Sequence, residues 1–87
     1  MKPPTDESVE ACVLRLCRAR GAGKTICPSE AARALAGDAG AWRALMPAVR
    51  AAAGRLAVAG KIVVSQGGVV VDISSARGTV RLGLPGP

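Results

Sequence analysis

The spacing of helix caps, helix stops and turn residues between positions 24 and 72 constrains the fold of this 87-residue chain more than any other feature. The signals are, in order, a serine cap, a glycine stop, a proline helix start, a second glycine stop and a two-glycine turn: Ser29, Gly37, Pro47, Gly60 and Gly67-Gly68. Each residue type favours that local role for backbone reasons. The order predicted is helix, turn, helix and β-hairpin, with strands over residues 61–65 and 69–72.

Residues 6–20 predict a further helix before this segment. Thr5 or Asp6 can cap it, and apolar residues recur at helical spacing as one stripe: Val9, Cys12, Val13, Leu16 and Cys17. Residues 25–27 suit a short strand. In residues 79–84 the apolar side chains Val80, Leu82 and Leu84 occupy alternate positions, which predicts another strand. This order predicts an α+β winged helix-turn-helix fold with three main helices and a small antiparallel sheet. The domain is predicted over residues 6–84, with disordered tails at 1–5 and 85–87.

Pro47 predicts a break in helicity at Met46, because proline disfavours the α conformation in the residue before it. The alternative is one kinked helix over residues 38–59. In the first case Asp38 is expected to cap a short turn that contains Trp42 and Leu45. Trp42, the only aromatic residue, is predicted to fill the core rather than to stack on a base.

The charge of the chain is unevenly distributed. Twelve basic and six acidic residues give a net charge of +6, and nine basic against two acidic residues lie between Arg15 and Lys61. A positive middle favours a polyanionic partner, nucleic acid first and an anionic membrane second. The alternative is a basic surface that serves solubility alone. No stretch of the sequence has the length and hydrophobicity of a membrane span.

The chain lacks the residues of common catalytic and metal sites. It has three cysteines, no histidine and no CxxC spacing, so the usual zinc patterns are excluded. The odd cysteine count and the lack of a signal peptide predict a reducing, cytoplasmic location. Cys12 and Cys17 are expected to be buried, with Cys27 as the more accessible thiol. We find no nucleophile with its base, and so expect neither an enzyme nor a bound cofactor or metal.

The third predicted helix carries the candidate DNA-binding face. If Val49 and Leu56 point inward, a small apolar stripe points outward: Pro47, Ala51, Gly54 and Val58. Small residues allow close approach to a major groove, while flanking arginines reach phosphates or guanine. The predicted DNA-binding residues are Arg43, Arg50, Arg55, Lys61 and Gln66, the last two on the wing. Because the chain has no asparagine and one glutamine, we expect low sequence specificity.

The chain resembles a family of small bacterial proteins classed as a domain of unknown function with a predicted winged helix. The segments that carry the resemblance are GKTICPSE (23–30), WRALMPAVR (42–50) and ARG (76–78). The resemblance implies the fold and no activity, so it assigns no functional residue. Thr79 departs from the proline that this family favours there, which affects only the loop around it.

The sequence therefore predicts a DNA-binding protein of low specificity, with a transcriptional or nucleoid role. Duplex DNA is the expected partner, a homodimer is a further expectation, and neither a membrane nor a metal is expected. The first alternative is a protein-interaction module that uses the same helix face. A remote second alternative is a thiol-dependent redox protein centred on Cys27.

Overall fold

A computed structural model describes residues 3–37 and 40–86 of the chain. It has three α-helices and a four-stranded antiparallel sheet, which confirms the α+β class and is compatible with a winged helix. The elements in chain order are α1 (Asp6–Arg20), β1 (Thr25–Ile26), α2 (Pro28–Ala36), a 3₁₀ turn (Trp42–Leu45), α3 (Met46–Val58), β2 (Val63–Gln66), β3 (Val69–Val70) and β4 (Arg81–Gly83). The predicted Asp38 cap, and residues 1, 2 and 87 of the predicted tails, lie outside the described residues.

α1 forms as its sequence predicts. The Thr5 hydroxyl accepts a hydrogen bond from the backbone N–H of Ser8 at 3.1 Å, which satisfies one of the donors left open at a helix start. Four residues of the apolar stripe are buried, and Leu16 is half-buried beside them. The buried stripe packs against α2 and α3, so α1 is one wall of the core.

α2 begins two residues earlier than predicted, and Ser29 is not its cap. Cys27 is the cap residue and Pro28 occupies the first helical turn, where a missing N–H has no cost. The Glu30 carboxylate accepts the backbone N–H of Cys27 at 2.8 Å. A glutamate that reaches back to the cap satisfies the helix start here without a serine in the cap position. Gly37 ends the helix as predicted.

The break predicted at Met46 is replaced by a change of helix type. The chain passes directly from the 3₁₀ turn into α3, and Met46 has α-helical angles of φ −56° and ψ −43°. Pro47 lies in the first turn of α3, as expected, where it deletes no hydrogen bond within the helix. The observed form therefore falls between the two predicted alternatives, because helicity continues through Met46 while the helix type changes from 3₁₀ to α just before Pro47.

α3 supplies the centre of the core. Its inward face was predicted correctly and is buried throughout: Val49, Ala52, Ala53 and Leu56. The helix ends where Gly60, at φ +76°, donates to the carbonyl of Ala57 and Lys61 donates to that of Leu56. This pair of bonds is a Schellman ending, which requires a residue at positive φ and therefore favours glycine.

The sheet order is β1-β4-β2-β3, and every pair is antiparallel. Each strand is shorter than predicted, and β4 lies between β1 and β2. Val64, Val80 and Leu82 are buried beneath the helices. Gly83 permits the close approach of β4 to the start of β1, since an added Cβ would lie 2.9 Å from the carbonyl oxygen of Lys24.

Candidate nucleic-acid interface

The outward face of α3 is small and apolar, with one departure from the prediction. Pro47 and Ala51 are exposed, and Val58 has 92% of its surface exposed. Gly54 is half-covered, because a Cβ at this position would lie 3.3 Å from Cγ2 of Ile73. The loop after β3 therefore covers part of the stripe that the helical wheel predicts to be open.

Arg50 joins α3 to the loop that precedes β4. Its guanidinium donates to the carbonyl of Ala76 at 3.0 Å and to the carbonyl of Gly78 at 3.4 Å. Neutral carbonyls orient the side chain and leave its positive charge uncompensated. Arg50 is therefore both a connector between two elements and a cation at the surface.

Gln66, at the end of β2, holds the same loop from the hairpin. Its side-chain amide donates to the carbonyls of Arg77, at 2.5 Å, and Thr79, at 3.2 Å. Arg50 and Gln66, both predicted as DNA-binding residues, are thus brought together by residues 76–79. The loop that they fix presents Arg77 as an exposed cation. Sequence reasoning did not assign Arg77 to the site, although it noted the ARG motif.

Arg43 lies in the 3₁₀ turn that leads into α3. Its guanidinium carbon is 4.5 Å from the centroid of the Trp42 ring, and that of Arg33 is 4.4 Å from the same centroid. Trp42 is half-buried at the edge of the core, and so does not fill the core as predicted. The ring holds two guanidinium groups by cation–π attraction, which concentrates positive charge next to the start of α3.

Arg55, on the opposite flank of α3, has carboxylate partners. Its guanidinium donates to Glu10 at 2.8 Å and lies 3.8 Å from an oxygen of Asp6. The hydrogen bond to Glu10 raises the pKa of Arg55, and the charges of Asp6, Glu10 and Glu7 act in the same direction. Its charge is therefore largely offset locally.

Lys61 follows the end of α3 and precedes β2, so it lies at the start of the hairpin rather than on a strand. It is exposed, and the described residues include no ion-pair partner for it. Of the five predicted residues, Arg50 and Gln66 therefore meet at one loop. Arg43 lies at the beginning of α3, Lys61 beyond its end and Arg55 on the flank against α1.

A second group of arginines is used within the fold. Arg20 donates to the carbonyl of Thr25 at 2.9 Å and is ion-paired with Glu30, while Arg81 donates to the hydroxyl of Thr25 at 2.8 Å. The backbone N–H of Cys27 and then Arg20 lower the pKa of Glu30. These contacts join α1, β1, α2 and β4, so these side chains stabilise the junction between helices and sheet.

The cysteines divide as the sequence predicts. Cys12 and Cys17 are buried, and burial raises the pKa of the Cys17 thiol. Cys27 is half-buried and accepts a hydrogen bond from the Ser29 hydroxyl at 3.2 Å. Within residues 3–37 and 40–86, no three histidine, cysteine or acidic side chains are grouped as a metal site. None of the helices in the described part of the chain has the length and hydrophobicity needed to cross a membrane.

Fold and surface together define a small α+β domain with a partly uncompensated basic surface beside one helix. The family model described as "Protein of unknown function (DUF3253)" matches residues 6–85, so the chain belongs to that family. This agrees with the resemblance that the three sequence segments indicate. No curated protein matches the chain.

Proposed function

We propose that this domain binds duplex DNA with low sequence specificity, through the N-terminal half of α3 and the loop of residues 76–79. The observation that supports this proposal best is the absence, within the described residues, of any carboxylate paired with Arg43, Arg50 or Arg77. Cations without an acidic partner can bind DNA phosphates and release the counterions condensed on them. This release is the main source of non-specific affinity. Arg55 is left out of the proposed contact set because Glu10 and Asp6 engage it.

The small residues at the start of α3 are suited to a close approach. Pro47 and Ala51 are exposed and carry no long side chain that would hold a backbone away. Arg50 and Arg77 then contact phosphates on one side, and Arg43, with Arg33 beside it, contacts them near the helix start. Lys61 is proposed as a contact to the adjacent DNA backbone from the start of the hairpin. Gln66 acts indirectly, since its amide N–H groups donate to the carbonyls of Arg77 and Thr79 and hold the loop that presents Arg77. This arrangement favours phosphate contacts over base readout, since it places no side chain suited to reading adenine on the helix face.

The test is fluorescence anisotropy with two unrelated labelled duplexes across a salt series. With about four to six phosphate contacts, the logarithm of the association constant should fall against that of salt with a slope of about −4 to −5. The two duplexes should give similar slopes and affinities. Absence of binding at low salt with tens of micromolar protein, roughly the range in which non-specific binders associate, would refute the proposal.

Trp42 provides an independent readout in the unlabelled protein. It is the only tryptophan, and the Arg43 guanidinium lies 4.5 Å from its ring centroid. Phosphates that engage Arg43 alter this contact, so intrinsic fluorescence should change with saturating DNA. If anisotropy shows binding but Trp42 fluorescence does not change, the DNA contacts a surface other than the start of α3.

The second candidate function is a protein-interaction module on the C-terminal half of α3. The observation that favours it is Val58, which has 92% of its surface exposed at the rim of a groove. Val58 and Ile73 line the same groove, and a contiguous exposed apolar surface marks a contact site where a single exposed side chain would not. The two functions use different halves of the helix, so one can hold without the other.

A further inference from the structure

A groove runs between the C-terminal half of α3 and the loop after β3. It is open to solvent, has a volume of about 490 Å³ and is lined by Gly54, Arg55, Val58, Asp72, Ile73 and Ser74. Gly54 contributes no side chain, and Ile73, only 8% exposed, forms the apolar floor beneath it. The volume falls within the range of about 300–1,000 Å³ that is typical of ligand-binding clefts.

The loop wall of the groove is held in a fixed shape. The Asp72 carboxylate accepts the backbone N–H of Ser74 at 2.9 Å and its hydroxyl at 2.7 Å. These bonds lower the pKa of Asp72, so its carboxylate is charged at neutral pH. The groove is therefore a preformed concave surface with a negative charge on one wall.

The charge around this groove is opposite in sign to that of the whole chain. Arg55 on the other wall contacts Glu10 and Asp6, and the charge of Glu7 also acts on it. Together with Asp72, four carboxylates lie on or beside the groove. Among the described residues, these carboxylates outnumber Arg55 and Lys61, the latter lying beyond the helix end. In a chain with a net charge of +6, this local excess selects a basic occupant.

We propose that the groove docks a segment of another protein that presents an aliphatic side chain between lysine or arginine residues. The aliphatic group covers Val58 and enters the space over Gly54 and Ile73, while the flanking cations meet Asp72 and the carboxylates around Arg55. This inference rests on the second proposed function and is independent of DNA binding. DNA itself is disfavoured here, because its phosphates would face the carboxylates.

The experiment is selection from a random displayed-peptide library against the immobilised wild-type protein. Enriched peptides should combine leucine, isoleucine, valine or methionine with flanking lysine or arginine. Their synthetic versions should lose binding to Val58→Asp by roughly tenfold or more. Val70→Asp is the matched control, since Val70 is 71% exposed on the edge strand and the same substitution there should leave binding unchanged.

Charge is tested separately with a Glu7→Gln, Asp72→Asn double variant. Asparagine retains an oxygen that can accept the Ser74 bonds, so the loop keeps its shape while the charge is removed. Basic peptides should bind this variant about three- to tenfold more weakly. If selected peptides require Val58 but lack basic residues, docking at the groove stands and the proposed partner chemistry is wrong.

Two other results would overturn the docking proposal itself. One is the absence of a Val58-dependent peptide, either because no peptide is enriched or because enriched peptides bind Val58→Asp as well as wild type. This result would also refute the second candidate function. The other is a concentration-dependent dimer in sedimentation that Val58→Asp abolishes and Val70→Asp does not. That outcome would identify the occupant as a second copy and would support the predicted homodimer.

Discussion

Arg50 and Arg55 lie five residues apart on the same helix and flank the same apolar stripe, yet their surroundings differ in kind. Arg50 donates to the carbonyls of Ala76 and Gly78, which leave its charge uncompensated. Arg55 donates to the carboxylate of Glu10, with Asp6 nearby. The comparison shows that the position of an arginine on a helical wheel does not decide whether its charge is available to a ligand.

The difference extends to the two halves of α3. The N-terminal half adjoins Arg43 and the loop that carries Arg77, with no carboxylate paired to them among the described residues. The C-terminal half adjoins a groove with carboxylates around it. Because exposed charges act over about 8–10 Å at ordinary salt, one helix can carry two surfaces of opposite preference.

Substitution of Arg50 is expected to weaken DNA binding far more than substitution of Arg55. Arg50→Ala should weaken binding to any duplex about tenfold at low salt and reduce the salt slope by about one. Arg55→Ala should change affinity by only about twofold, because the charge it removes is already offset and lies away from the proposed contact. Anisotropy titrations of both variants with the same duplex measure this difference. Equal losses would mean that only net charge matters.

Arg50→Lys then separates charge from positioning. Lysine retains the positive charge but cannot span two carbonyls as the planar guanidinium does. If Arg50 contacts phosphate, this variant should keep most of the affinity. A loss as large as that of Arg50→Ala would assign Arg50 the role of holding the Arg77 loop.

The next effect concerns stability at the other acid-paired arginine, Arg20. Glu30→Gln should lower the free energy of unfolding by about 0.5–1 kcal/mol at neutral pH, the range of a solvent-screened pair. Because the folded protein lowers the pKa of Glu30, this contribution is complete above about pH 5 and is lost as the pH falls through the folded value. Urea unfolding of both proteins at pH 7 and pH 3 should give a difference that shrinks at low pH. A difference independent of pH would show that shape rather than charge is responsible.

A smaller effect should appear when the partner of Arg55 is removed. Glu10→Gln leaves Arg55 without its closest carboxylate, and duplex affinity should rise about two- to threefold. Glu7→Gln is the matched control, since it removes the same charge nearby without taking a hydrogen bond from Arg55. A similar gain for both variants would trace the effect to net charge alone.

The smallest effect tests the packing of the C-terminal half of α3. Gly54→Ala gains helix propensity of about 1 kcal/mol, but its Cβ meets Cγ2 of Ile73 at 3.3 Å. We expect a net stabilisation of a few tenths of a kcal/mol in thermal or urea unfolding, with no change in DNA affinity. Ala51→Gly, at an exposed position on the same face, should destabilise by about 0.5–1 kcal/mol. Destabilisation by Gly54→Ala would show that the Ile73 loop cannot move.

Periodicity and helix stops were sufficient to predict most of the fold. The inward stripe of α1 and the buried face of α3 follow from residue spacing within one helix. The helix ends and the hairpin turn need positive φ angles, which Gly37, Gly60 and Gly67-Gly68 adopt. The Cys27 cap was missed because serine is in general the stronger cap signal. Here Pro28 at the helix start and Glu30, which bonds back to Cys27, place the cap two residues before Ser29. Such local competition is visible only when all three residues are weighed together.

The candidate site was less predictable, because its decisive contacts join residues distant in sequence. Glu10 and Arg55 are 45 positions apart, and Arg50 and Ala76 are 26 apart. A helical wheel places Arg50 and Arg55 correctly as flanks but carries no information about what faces them. The cover of Gly54 by Ile73 and the exposure of Arg77 likewise depend on the path of the loop between β3 and β4.

The position of β4 in the sheet bears on how the domain is made. β1 forms near residue 25, but among the strands of residues 3–37 and 40–86 it pairs only with β4, which ends at residue 83. During synthesis the sheet cannot close until β4 has left the ribosome, because Ile26 and Val64 both pair with Leu82. Chains that stop before residue 81 would expose two unpaired strand edges and be prone to aggregation. The sheet is therefore expected to close only after residues 81–83 have been synthesised, with the helices forming first.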